Sequence, residues 1–210
     1  MIAKLHYITQ DLKGGLDHIH QAKEALECGV KWVQIRMKHH DDEDLVEAGK
    51  EIVNSCRKHK AVCIVNDRPD IAKIIGADGV HLGKNDISIP EARKILGSKA
   101  IIGATANTLE DILKLPLDQV NYIGLGPFRF TSTKHNLSPV LGLEGYQDIL
   151  TQMHEQGIKI PVIAIGGILP TDVEGLLEIG VHGIAVASLI NLALDKEQVI
   201  TKLIESLGNE

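Results

Sequence analysis

The sequence predicts an α/β protein built as a (β/α)8 barrel, and three observations predict it. Short β-like runs alternate along the chain with longer segments whose apolar residues recur at helical spacing. Eight such pairs of similar length fill the 210 residues. No linker, low-complexity segment or change of composition interrupts them, so one barrel domain, 1–210, is expected. An open doubly wound sheet is the alternative. Near-equal units without a second compositional regime favour closure into a TIM barrel.

The strands are expected at 5–9, 32–36, 61–65, 80–82, 100–104, 122–126, 162–165 and 183–187, each a short apolar run. Helices are expected near 15–28, 41–59, 69–76, 88–96, 108–115, 143–156, 171–180 and 196–207. Gly29, Gly76, Gly97, Gly157 and Gly180 follow helical segments, where a left-handed cap residue is wanted. Ser88-Ile89-Pro90-Glu91 and Thr171-Asp172-Val173-Glu174 have the form of helix starts. The one long irregular connection is 127–142, a length that functional loops often have.

Composition excludes several function classes. A hydrophobic content of 44% can fill a sizeable core. The formal charge of −6 argues against nucleic-acid binding, which needs clustered basic residues. Cys28, Cys56 and Cys63 are odd in number and lack CxxC spacing, so neither a disulfide framework nor a cysteine zinc site is indicated. The first residues enter a strand without the pattern of a signal peptide. No apolar window is long enough for a bilayer, and the most apolar region, 158–168, is split by Gly166-Gly167. A cytoplasmic protein without membrane or nucleic-acid partners is expected.

In a parallel barrel the chemistry gathers where the strands end. The stretch 64–86 delivers two carboxylates there, Asp67 after the third strand and Asp86 after the fourth. Successive parallel strands share a direction, so both emerge on one rim and together suit a divalent metal. Singly, each fits an N-cap or a loop turn as well. The second strand ends in Gln34-Ile35-Arg36-Met37-Lys38, whose alternation puts Gln34, Arg36 and Lys38 on one side. An amide and two cations there suit a phosphate or diphosphate, which a magnesium ion would bridge to the carboxylates.

A second anion site is expected across the mouth. Gly166-Gly167 follows the seventh strand and Ala187-Ser188 the eighth, where such barrels hold phosphate on backbone N–H groups and a helix start. Thr131-Ser132-Thr133-Lys134 puts three hydroxyls and an ammonium into one loop, although such clusters also occur in plain solvated loops. Thr105 adds a hydroxyl after the fifth strand, where a tight turn is the plainer reading.

Ten histidines invite other metal hypotheses, but His18 and His20 diverge on a helix and His39-His40 is an adjacent pair in an acidic loop. His81, in the fourth strand, fits a hydrogen-bonded structural histidine. Lys134 suits charge pairing better than a Schiff base, because it stands in a loop and not inside a strand. No HExxH, GxSxG, Walker or strand-following GxGxxG motif is present.

Taken together, Gln34-Ile35-Arg36-Met37-Lys38, Asn66-Asp67-Arg68, Gly79-Val80-His81-Leu82-Gly83 with Asp86, Thr131-Ser132-Thr133-Lys134, Ile165-Gly166-Gly167-Ile168 and Val186-Ala187-Ser188 resemble the thiamine-phosphate synthase family along essentially the whole chain. The resemblance implies joining of hydroxymethylpyrimidine diphosphate to hydroxyethylthiazole phosphate, with Mg2+ assisting loss of diphosphate. It implies that Gln34, Ile35, Arg36, Met37, Lys38, Asn66, Thr105 and Lys134 bind the pyrimidine diphosphate, Arg36, Lys38 and Lys134 acting catalytically. It places Asp67 and Asp86 on the metal and Thr131, Ser132, Thr133, Gly167, Ala187 and Ser188 on the thiazole phosphate.

The chain departs from the family pattern at Phe128-Arg129-Phe130, at Lys84-Asn85 and at Thr105, where a serine is frequent. The rival functions are a thiazole tautomerase, which lacks the full diphosphate and metal set, and a non-catalytic phosphate-binding barrel. Expected partners are the two small-molecule substrates, and formation of a homo-oligomer is left open.

Overall fold

The computed structural model describes residues 1–12, 17–130 and 139–208. Eight strands, β1 (Leu5–Ile8), β2 (Trp32–Ile35), β3 (Val62–Asn66), β4 (Gly79–Leu82), β5 (Ile101–Ala106), β6 (Tyr122–Leu125), β7 (Val162–Ile165) and β8 (Gly183–Val186), close into a barrel in chain order. Every pairing is parallel, including β1 with β8. Each expected strand is present with ends within two residues of expectation.

Helices α1 (His18–Glu27), α2 (Asp42–Lys58), α3 (Pro69–Ile75), α4 (Ile89–Leu96), α5 (Leu109–Leu113), α6 (Gly142–Glu155), α7 (Val173–Glu178), α8 (Ser188–Asn191) and α9 (Lys196–Leu207) cover the outside. The Ser88 start forms a full capping box with Glu91. The start expected at Thr171 is different: a 3-10 turn, Pro170–Asp172, precedes α7, and Asp172 makes no side-chain cap there. The single turn α8 was not expected, because four residues are too short to show a helical period. No helix among the described residues is long and apolar enough to cross a membrane.

The alternation of strand residues divides the core into two layers. Val33, Ile35, Cys63, Val65, Val80 and Ile102 belong to the layer shared with the helices. Ile8, Trp32, Ile64, Tyr122, Ile163 and Ala185 form the layer inside the barrel. Trp32 and Tyr122 are almost wholly buried, and each contributes about 2–3 kcal/mol through the apolar area removed from water. Small residues make the room they need. A Cβ on Gly103, the register partner of Tyr122, would stand 2.1 Å from that ring. His6 stacks on Trp32 with ring centres 4.1 Å apart and meets Tyr122 edge-on at 5.0 Å. An interior packed this way is closed, which leaves the rim for chemistry.

Candidate active site

Around a ring of eight strands, β3 and β4 lie opposite β7 and β8. Each half of this rim carries one group of candidate residues. On the first half, Gln34 continues the inward phase of Trp32, is nearly buried, and donates from Nε2 to Asn66 Oδ1 at 2.8 Å. Arg36 follows in the same phase. Its backbone N–H donates to Thr9 Oγ1 at 3.0 Å, which fixes the end of β2 against that of β1. Desolvation lowers the Arg36 pKa while the carboxylates of Asp67 and Asp11 oppose the shift, and a guanidinium so placed stays charged. Lys38 Nζ stands 3.3 Å from Asp67 Oδ2. Ile35 and Met37 take the opposite phase and pack into the helix-side layer, and both also line the cavity that Lys38, Asn66 and Asp67 share.

Asp67 sits at φ 65°, a left-handed conformation that residues other than glycine seldom adopt. It is not a helix cap: Arg68 holds the N-cap position of α3 and makes no side-chain cap bond. Asp86 is not one either, since Ser88 caps α4. Asp86 Oδ2 accepts instead from the Gly83 N–H at 2.6 Å. Its pKa is raised by burial and by the facing Asp67 carboxyl, against the pull of the Gly83 N–H and of Lys38. A carboxyl whose ionisation is hindered by burial and by a facing carboxyl creates a demand for a cation between the two. Hard oxygen donors in a partly open position fit Mg2+, which takes one or two carboxylates and completes its shell with water and phosphate oxygens.

The other expected residues are placed as follows. Thr105 Oγ1 lies 3.0 Å from His81 Nε2, and His81 Nδ1 lies 3.0 Å from the Tyr122 hydroxyl. His81 is thus the hydrogen-bonded interior histidine that its strand position suggested. Opposite, Gly166 and Gly167 have φ 99° and 67°. The turn is strapped by the connection that follows β6, since Arg129 N donates to Gly166 O at 2.9 Å and Arg129 Nη1 to Gly167 O at 2.6 Å. Arg129 also grips Asp172 through both Nη atoms, at 2.9 and 3.0 Å. Ala187 and Ser188 open α8 directly after β8, next to the end of β7. Thr131, Ser132, Thr133 and Lys134 lie outside the described residues.

Sequence reasoning missed a polar group behind Arg36. Thr9 Oγ1 lies 2.8 Å from His18 Nδ1, and Asp11 Oδ1 lies 2.9 Å from His18 Nε2 and 3.0 Å from His40 Nε2. Burial raises the Asp11 pKa, yet contacts with both histidines hold the carboxyl below its usual range. Burial lowers the pKa of His18 and outweighs the pull of Asp11. The three residues come from separate stretches, so no spacing motif could have announced them.

The family model described as thiamine monophosphate synthase matches residues 5–190. That match spans all eight strands and both halves of the rim. The chain belongs to this family. A thiamine-phosphate synthase of Flavobacterium johnsoniae is 47% identical over 209 residues, covering 99% of this chain and 97% of its own. One of Bacteroides fragilis is 47% identical over 191 residues, covering 91% and 93%. The solved thiamine phosphate pyrophosphorylase of Pyrococcus furiosus superposes with a TM-score of 0.85 at 34% identity, over 97% of this chain and 95% of that one. Family membership makes the chain a transferase of thiamine biosynthesis.

Proposed function

We propose that the chain is a thiamine-phosphate synthase that condenses hydroxymethylpyrimidine diphosphate with hydroxyethylthiazole phosphate, releasing diphosphate, and that the whole barrel serves as one catalytic domain in the cytoplasm. The observation that carries this reading is the facing carboxyl pair Asp67 and Asp86, flanked by Lys38 and Arg36, on the rim opposite the Gly167 and Ser188 turns. Two anion sites facing across one barrel mouth suit a reaction with two phosphorylated substrates. A non-catalytic barrel would have no use for the carboxylate pair, and a tautomerase would need only one anion site.

Arg36 and Lys38 hold the diphosphate, and Asn66, oriented by Gln34, addresses the same ligand. Asp67 and Asp86 would hold Mg2+, which when bound neutralises charge gathering on the departing diphosphate. The bond between the pyrimidine methylene and the diphosphate oxygen breaks with its electron pair leaving on oxygen. The thiazole nitrogen then forms the new C–N bond with its own lone pair. No proton leaves the nucleophile, so the site needs no general base, and placement plus leaving-group stabilisation account for the catalysis. The backbone at Gly167 and the start of α8 hold the thiazole phosphate, with the hydroxyls of Thr131, Ser132 and Thr133 assigned to it, while the ammonium of Lys134 is assigned to the diphosphate. Thr105 completes the pyrimidine side.

The test is turnover by the purified chain with both substrates and magnesium. Thiamine phosphate and diphosphate should appear in equal amounts. If no diphosphate is released, the proposal fails.

A further inference from the structure

We propose that Asp11, His18 and His40 form a second cation site, for a divalent ion of the zinc type, distinct from the carboxylate pair of Asp67 and Asp86. One ligand atom from each of the three lies within 4.8 Å of the other two. Asp11 Oδ1 is 2.9 Å from His18 Nε2 and 3.0 Å from His40 Nε2. Metal bonds of about 2.0–2.2 Å to nitrogen and carboxylate oxygen subtend ligand separations of roughly 3 Å, so little movement is needed to admit an ion.

The outer atoms supply an independent observation. Both histidines offer the same atom, Nε2, to the cluster, and each has an oxygen beside its remaining nitrogen. His18 Nδ1 lies 2.8 Å from Thr9 Oγ1, and His40 Nδ1 lies 3.7 Å from Asp44 Oδ2. An oxygen acceptor at hydrogen-bond distance behind the free nitrogen, as at His18, fixes tautomer and ring direction in metal sites, while Asp44 stands farther off as an ion-pair neighbour of His40. Two imidazoles select a transition-series ion over magnesium, and three protein ligands leave a position open for water or an anionic oxygen. The carboxylate comes from the β1–α1 connection, His18 from the first turn of α1, and His40 from the β2–α2 connection. An ion there would clamp the two loops together beside Arg36, whose backbone already hydrogen-bonds Thr9 of the same network.

The test is equilibrium dialysis of the full chain against Zn2+, with magnesium in large excess to occupy the carboxylate pair, followed by metal analysis. Wild type and Asp67→Asn should each retain one zinc per chain. His40→Ala, an exposed change that leaves the core intact, should bind it about 100-fold more weakly or worse, since even an outer partner is worth 10–100-fold. Asp11→Asn should do the same. Substitution by Co2+ should give the visible absorption of an imidazole-ligated ion in wild type and lose it in His40→Ala. Failure of wild type to retain zinc, or equal retention by His40→Ala, overturns the proposal.

Discussion

Replacing Asp86 by asparagine should stabilise the protein while impairing it. In the native chain the Asp86 carboxyl faces that of Asp67, and burial together with this neighbour raises its pKa above the ordinary 3.8. A carboxyl whose folded pKa is raised binds its proton more tightly folded than unfolded. Its contribution to stability is therefore present below the unfolded pKa and is lost as pH rises through the raised value. At neutral pH the repulsion is fully felt. Asparagine is nearly the same size, can still accept the Gly83 N–H with its oxygen, and can donate from its nitrogen to Asp67. A like-charge contact becomes a charge-assisted hydrogen bond. The site is partly open, so the gain is set at the low end, about 1 kcal/mol. For a chain of this length that is a rise in Tm of roughly 2–4 °C at pH 7 without magnesium. Magnesium should raise the Tm of the wild type by mass action and leave the variant nearly unmoved. Differential scanning calorimetry with and without magnesium measures both effects. Turnover should meanwhile fall by about 10²–10³, the usual loss when one group that stabilises developing charge is removed. An Asp86→Asn protein that melts below the wild type, or responds equally to magnesium, would refute the reasoning.

The remaining predictions concern the opposite half of the rim and the frame beneath it. Gly167→Val puts a branched side chain at φ 67°, with its Cβ 2.9 Å from Arg129 Cβ; steady-state kinetics should show a raised KM for thiazole phosphate with that for pyrimidine diphosphate largely spared, and equal weakening of both would dissolve the two-site map. Tyr146→Phe removes a buried hydroxyl that donates to Leu125 O and accepts from Ile165 N at 3.3 Å. It should cost about 1–3 kcal/mol in urea unfolding, and an unchanged midpoint would count against that bond. Gly79→Ala would set a Cβ 1.9 Å from Ile101 O in the neighbouring strand, so soluble expression should collapse. Normal yield and melting would show that β4 and β5 can separate more easily than their register implies.

Much of this was legible in the residues because barrel strands obey a period of two. The phase that buries Trp32 inside carries Gln34, Arg36 and Lys38 toward Asp67, and the opposite phase sends Ile35 and Met37 to the helices. The same phase rule did not distinguish a cap from a ligand at Asp67. The cap is excluded at Asp67 because Arg68 holds the N-cap position of α3, and at Asp86 because Ser88 caps α4, and neither is visible in a pattern of apolar residues. The cluster of Asp11, His18 and His40 was hidden for a different reason. His18 and His20 do diverge on α1, but the partner of His18 arrives from another loop, and only closure of β1 against β2 brings it near. Arg129 stands in the sequence only as part of a departure from the family pattern; paired with Asp172 and Gly167 O, it is the brace of the Gly166-Gly167 turn.

The role proposed for Asp67 and Asp86 is magnesium-assisted loss of diphosphate. Initial rates of diphosphate release at saturating concentrations of both substrates, titrated with magnesium for wild type and Asp67→Asn, test it most directly. A steep magnesium requirement is expected in the wild type, and in Asp67→Asn a rate about 10²–10³ lower at limiting magnesium, partly restored by excess metal. Superimposable titrations for the two proteins would contradict it.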